Sequence, residues 1–366
     1  MNTPAGLGAR RALLFTVSLL AGVAILVAAC WLIDIPMTLA ELGRIGLWGA
    51  AAFLVNILVT LAGPGLAWHL LMRAEGIPVR LWQTLASTLM GRAVNLVSPL
   101  MYFGGESVRV FHIAGACRVS KRRVLATVIV SEFQLLVGLT GCILLCTGVI
   151  AASSALAPGR VIAVALAGAG LAVFLFFVLG LFLWNAHPAV RILNLLIRCR
   201  IFPVRLSRVL DKAREMEAIV RDFFTRRLRV LILSQLASLI SPAAQFLRPT
   251  LFYGLLRWSG ATVALPTLSE LSVFFVLSQL LFMVPTTPGG LGVYEGGLIG
   301  LFGLLSWPSH DGAAYSLLIR LDDLVFITLG AWLTVHFGMR RFLGWGRPPS
   351  APAASLDDVE GQETSK

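Results

Sequence analysis

Charge is what this sequence has least of. Of its 366 residues, 13% are Asp, Glu, Lys or Arg and 57% are hydrophobic. A soluble domain carries roughly 25% charged residues, so a water-facing globule is excluded and the apolar surface must meet lipid. Histidine is scarce: His69, His112, His187, His310 and His336 form no metal-ligand spacing. The five cysteines are scattered, and Cys142 and Cys146, four apart in an apolar run, have no His or carboxylate beside them. Packing explains that pair better than a metal does. The phosphate-binding pattern GxxxxGK[ST] is absent, as are HExxH and a Ser-His-Asp signature. Neither a cofactor nor a metal is expected.

What is present is a series of apolar runs, each long enough for a hydrocarbon core of about 30 Å. They are Ala12–Ile33, Ile45–Trp68, Val124–Ser153, Val161–Ala186, Val230–Leu256 and Gly312–His336. The first is too long for the apolar core of a signal peptide and lacks a clean small-residue cleavage site, so it reads as a retained span. Two further regions, Leu81–Ala116 and Thr267–Ser306, hold two short apolar pieces broken by Pro and Gly. Each reads as a helical hairpin that re-enters or barely spans. Non-helical backbone at that depth must be buried in protein or line a wet cavity. The expected fold class is therefore all-α: a polytopic membrane protein of about six full spans plus two broken hairpins, over residues 1–341.

The net charge of +12 lies mainly between apolar runs. That placement follows the positive-inside rule and argues against a nucleic-acid partner. Arg10 and Arg11, the loop with Arg73 and Arg80, the cluster Arg118 to Arg123, and Arg340, Arg341 and Arg347 all fall on one side when the spans alternate. The expectation is a bacterial inner membrane with both termini cytoplasmic. Asp34–Arg44, Ser154–Pro158, Arg257–Pro266 and Trp307–Asp311 then become outer connections. The segment 187–229, with eleven Lys or Arg against four acids, is a solvated linker or a helix lying on anionic headgroups. The tail 348–366, rich in Pro, Ala, Ser and acids, is expected to be disordered.

The two hairpins share a pattern. The first runs Ser98, Pro99, Gly104, Gly105, Glu106; the second runs Thr287, Pro288, Gly289, Gly290, Glu295. A hydroxyl residue before proline suits a helix start, and each glutamate stands seven residues after its proline, about two turns on. With flanking spans in opposite sense, residues 45–153 and 230–336 form an inverted repeat, the arrangement of many transporters. The half-helix starts would aim amide groups at an anion. The plainer reading is that Pro and Gly let helices kink and approach, with Gly292, Gly296 and Gly300 as a packing stripe. Arg92, Glu106, Arg109, Glu132, Arg248, Glu270, Glu295, Arg320, Asp322 and Asp323 lie in or beside apolar runs and require partners or water. Glu106 and Arg109 are spaced to pair along one helix; Glu295 and Arg320 are placed to pair across two. Such pairs serve either structure or a headgroup path.

The segment MVPTTPGGLGVYEGGLIGLFGLL, Met283–Leu305, with LLIRL at Leu317–Leu321 and NLVSPLMYFGGESVRVFHIAGA at Asn95–Ala116, resembles the transmembrane region of lysylphosphatidylglycerol synthases and its stand-alone relatives. The resemblance runs to about Arg341. It implies a flippase-like module that moves a phospholipid, hopanoid or related lipid between leaflets. In full-length members a soluble aminoacyl-transferase domain follows; here only a short tail follows Arg347, which argues against lysyl transfer. By motif, the residues implied in lipid contact are Asn95, Pro99, Gly104, Gly105, Glu106 and Arg109, and Pro288, Gly289, Gly290, Gly292, Glu295 and Arg320. Ser98 and Thr287 join them as the hydroxyls at the two helix starts. The alternatives are a membrane-embedded lipid-modifying enzyme and an accessory subunit that docks lipid-biosynthesis enzymes through 187–229. Membrane lipids are the expected partners, and a homo-oligomer is open.

Overall fold

The computed structural model describes residues 35–97, 104–153, 158–184, 219, 221–224, 226–283, 290 and 292–344. The expected first span, most of the basic segment 187–229 and the tail 348–366 lie outside these residues. Among the described residues every regular element is a helix. In order they are α1 (Ile35–Ala74), α2 (Leu81–Val97), α3 (Gly105–Cys117), α4 (Lys121–Ala152), α5 (Pro158–Trp184), α6 (Leu228–Ser238), α7 (Ile240–Trp258), α8 (Leu268–Met283), α9 (Val293–Leu304) and α10 (Ser309–Gly344). The chain is an all-α polytopic membrane protein.

Three stretches are both long and apolar enough to cross a membrane: Pro36–Ala74, Lys121–Ala152 and Leu228–Trp258. Their outward residues include Leu47, Trp48, Leu145, Leu233 and Leu236. In water these side chains would expose a large apolar band, whereas in lipid they need no cover. At 36 residues α10 is also long enough, but Arg320, Asp322 and Asp323 sit within it.

Two boundaries differ from the sequence reading. Asp34–Arg44 was expected to be a plain connection; from Ile35 onward it is helical, and Gly46 (φ 59°, ψ −170°) breaks it from the rest of α1. Only glycine takes that conformation cheaply. The run Val230–Leu256 is two helices, α6 and α7, meeting at Leu239. Pro242 has no N–H to give the carbonyl of Ser238 four residues back, so the helical ladder is interrupted there.

Both hairpins are built from short helices. With 17 residues in α2 and 13 in α3, 16 in α8 and 12 in α9, no arm exceeds about 26 Å at 1.5 Å per residue. Each arm alone falls short of a hydrocarbon core. The α2–α3 hairpin starts and ends beside Glu75, where Cys117 Sγ meets the carbonyl of Pro78 at 3.7 Å. The α8–α9 hairpin starts and ends at the opposite end of the bundle, where Trp307 stacks against Phe274.

An aromatic core of Phe53, Phe252, Phe274, Phe302 and Tyr315 fills that second end, with Phe252 and Phe302 fully buried and crossed edge to face. Cys146 belongs to the same core and Cys142 packs against it, as the packing reading of that pair requires. At the first end Glu75 binds Arg123 at 3.2 Å and Arg227 at 3.2 Å, and Arg227 also holds Asp222 at 2.8 Å. This knot ties α1 to the starts of α4 and α6.

Candidate functional site

The broken hairpins place their charged residues by closing their helix starts from within. Glycine carries the break on both sides: Gly104 (φ 132°) precedes α3, and Gly292 (φ 81°) precedes α9. Glu106 then folds back so that one carboxylate oxygen accepts the Gly104 N–H at 3.0 Å and the other accepts Asn95 Nδ2 at 3.2 Å. Asn95 in turn accepts the Gly105 N–H through Oδ1 at 2.8 Å. On the other side Glu295 accepts the Gly292 N–H at 2.7 Å through Oε2 and binds Arg320 through Oε1. Each glutamate thus serves its own helix start and one further partner.

These caps correct the sequence reading in two respects. The helices begin at Gly105 and Val293, so each glutamate lies in the first turn and not two turns in. Ser98, Pro99, Thr287, Pro288 and Gly289 fall outside the described residues. In addition, the Gly104, Gly105 and Gly292 amides, expected to be open to an anion, already have side-chain partners. The physical reason is depth: an unpaired amide in lipid costs several kcal/mol, and a nearby carboxylate removes that cost.

Arg109 does not pair along its own helix with Glu106. It reaches Glu132 on α4 and lies over the Trp68 ring at 4.3 Å. The expected Glu295–Arg320 pair forms, and Arg320 also contacts Asp323 at 3.4 Å and faces the Tyr294 ring. Gly290, buried with φ 66°, is part of the break before α9. Of the expected stripe Gly292, Gly296 and Gly300, Gly300 is exposed and a Cβ there would meet open space, whereas the neighbouring Gly297 abuts the Leu281 side chain.

Sequence reasoning noted Arg248 as an intramembrane charge but gave it no place in the site. It is 8% exposed, and its Nε donates to Asn56 Oδ1 at 2.8 Å and its Nη2 to Thr60 Oγ1 at 3.2 Å. Asn56 also donates to the carbonyl of Ala244 at 3.1 Å. Pro64 on α1 and Pro249 on α7 remove helical bonds near this docking point. The signal was available: Asn56 and Thr60 are polar, four apart, in an otherwise apolar run, and so share one helix face.

The Arg320 and Arg248 groups meet along the seam where α10 packs on α2 and α1 packs on α7. Asp323 lies within electrostatic reach of Arg92, Arg320 and Arg248, and Asp322 of Arg248. Arg92 also faces the Phe326 ring at 5.7 Å. Three arginines and three carboxylates (Glu295, Asp322, Asp323) therefore share one buried zone, balanced in formal charge. Beside the Glu106 cap and the Arg109–Glu132 pair, a groove of about 230 Å³ is lined by Glu106, Val128, Glu132, Phe133 and Leu136. It puts two carboxylates at the edge of an apolar surface.

A comparison with known families finds one match over most of the chain: the family described as the lysylphosphatidylglycerol synthase TM region, over residues 3–331. Neither a curated protein nor a solved structure matches the chain.

Proposed function

Since the chain belongs to the lysylphosphatidylglycerol synthase TM region family, we propose that it translocates a membrane lipid between leaflets, passing the headgroup along the charged seam between its halves. The observation that carries this reading is the balanced zone of Arg92, Arg248, Arg320, Glu295, Asp322 and Asp323, flanked by helices too short to span. Buried charge in a membrane is costly and marks substrate or ion paths more often than it stabilises a bundle. Arginine suits a phosphate-bearing headgroup, which its planar fork binds in two-point fashion. That favours a phospholipid over an uncharged hopanoid. The groove at Glu106 and Glu132 supplies a lateral entry in which acyl chains stay on Val128, Phe133 and Leu136.

The halves 45–153 and 230–336 act in this reading as an inverted repeat. Its support is reciprocal packing: α10 lies on α2, and α4, its counterpart, lies on α8, the counterpart of α2. The hairpins also enter from opposite ends. Movement is downhill or coupled to an ion through a seam carboxylate. The membrane is the bacterial inner membrane, with the Glu75 end cytoplasmic and the basic segment 187–229 on that side available to lipid-biosynthesis enzymes.

The experiment is reconstitution of the full chain in liposomes with fluorescent phosphatidylglycerol, and quenching of the outer leaflet. Wild type should expose inner-leaflet lipid at least tenfold faster than empty liposomes or Glu295→Gln. Equal rates in all three would remove the proposal.

A further inference from the structure

A second cluster of ionisable groups lies at the opposite end of the bundle from the Glu75 knot, away from the seam. It joins three elements that the sequence keeps far apart: Glu41 on the short helix before Gly46, Tyr253 near the end of α7, and His310 and Asp311 at the start of α10. One donor atom each from Glu41, His310 and Asp311 lies within 4.8 Å of the others. We propose that Glu41, His310 and Asp311 bind a divalent cation of the zinc type, pinning the short helix to the starts and ends of the core helices.

The argument begins with unmet bonding. Glu41 is 9% exposed and Asp311 2%, and the Oε2 of Glu41 and the Oδ2 of Asp311 are buried with no hydrogen-bond partner. The hydroxyl of Tyr253, 3% exposed, is aimed at the Asp311 carboxylate and has no other hydrogen-bond partner among the described residues. Two buried carboxylates converging in a protein interior repel each other and need a positive charge between them. The protein supplies only part of it. Arg44 holds one oxygen of Glu41 at 2.6 Å, and its side chain is 54% exposed. The His310 Nε2 stands 3.6 Å from Asp311 Oδ1, beyond a hydrogen bond.

An ion fits this geometry better than a proton does. Ligands on a tetrahedral zinc-type ion bond at about 2.0–2.2 Å and so stand about 3.3–3.6 Å apart; closing from within 4.8 Å needs side-chain rotations that move each ligand atom by about 1 Å. The donor set of one imidazole and two carboxylates is the mixed nitrogen and oxygen set of zinc-type metals, whereas calcium takes six to eight oxygens. Arg44 on the far oxygen of Glu41 would fix that carboxylate's orientation, as outer partners of metal ligands do. His310, 26% exposed at its side chain, leaves a route for the ion and a place for water. Spacing along the chain hides the set, because Glu41 is remote from His310 and Asp311 in sequence.

The test uses the purified full chain in detergent after chelator treatment, with Zn²⁺ and Co²⁺ as probes and no lipid movement in the readout. Wild type should bind one Zn²⁺ saturably, rise in melting temperature with it, and give visible Co²⁺ absorption. Glu41→Gln and Asp311→Asn, which keep shape, should each weaken Zn²⁺ binding at least tenfold and lose the absorption; Asp222→Asn, in the Glu75 knot, should match wild type. Should Asp311→Asn fail to fold, Glu41→Gln and His310→Gln carry the comparison. No saturable binding, or equal affinity in wild type and the folded variants, overturns the site, and a proton shared by the carboxylates then accounts for the cluster. Because the readout is metal occupancy, this outcome is separable from failure of the transport reading.

Discussion

Arg248 is the residue on which the seam turns. Its guanidinium is held by two neutral side chains, Asn56 and Thr60, and faces the carboxylates Asp322 and Asp323 only at longer range. Neutral donors and acceptors fix the position of a charge without cancelling it, so the arginine keeps attraction for a headgroup. Replacing Arg248 with Leu should leave Asp322, already without a bond at Oδ2, with less compensation. We expect translocation to fall at least tenfold, with a stability loss of about 3–5 kcal/mol, the usual result of breaking a buried charge arrangement. Arg248→Lys, which keeps charge and loses the planar fork, should restore stability more than transport. Denaturation in detergent and the liposome assay separate the two. Equal recovery of both by lysine would make Arg248 a structural residue.

Helices α3 and α9 carry the difference between what the sequence reveals and what it hides. Their existence and shortness were legible, because a proline, a glycine pair and a following apolar run have few other readings. Their starting residues were not. A cap depends on which side chain folds back onto which amide, and the carboxylates of Glu106 and Glu295 had equally plausible partners among nearby arginines. The spans Ile45–Trp68, Val124–Ser153 and Val230–Leu256 were legible from hydropathy, whereas the split at Leu239 depended on reading Pro242 within an apolar run. Close approach was legible as glycine content but not by position: Gly105 makes a tight contact and Gly300 does not. A Cβ on Gly105 would stand 2.1 Å from the carbonyl oxygen of Gly91, a backbone atom that cannot rotate away. Gly105→Ala should therefore force α2 and α3 apart, cost about 1–3 kcal/mol or more, and break the Asn95–Gly105 bond. Gly300→Ala, facing open space, should be near neutral. Melting temperatures of the two variants check the contrast, and similar losses would mean that this packing is incorrectly described.

At the scale of the molecule the two ends differ in charge. Arg73, Arg80, Arg118, Lys121, Arg122, Arg123, Arg226, Arg227 and Arg229 crowd the Glu75 end, while Arg44, Arg160 and Arg257 belong to the other. Basic residues flanking spans resist transfer across the membrane and are drawn to anionic lipids on the cytoplasmic face. This asymmetry is the basis for proposing that the Glu75 end lies inside and the Glu41 cluster outside, where an external cation has access. Two exposed positions report on it directly. The Arg226 side chain is 83% exposed, and Ser259 follows Trp258, itself 76% exposed, at the other end. In a cysteine-free background, Ser259→Cys should react with an impermeant thiol reagent in intact cells. Arg226→Cys should react only after the membrane is opened. The reverse pattern would invert the topology and put the Glu41 cluster on the cytoplasmic side. Labelling of both positions in intact cells would mean that the bundle does not hold one orientation, and a headgroup path of fixed direction along the seam would have no basis.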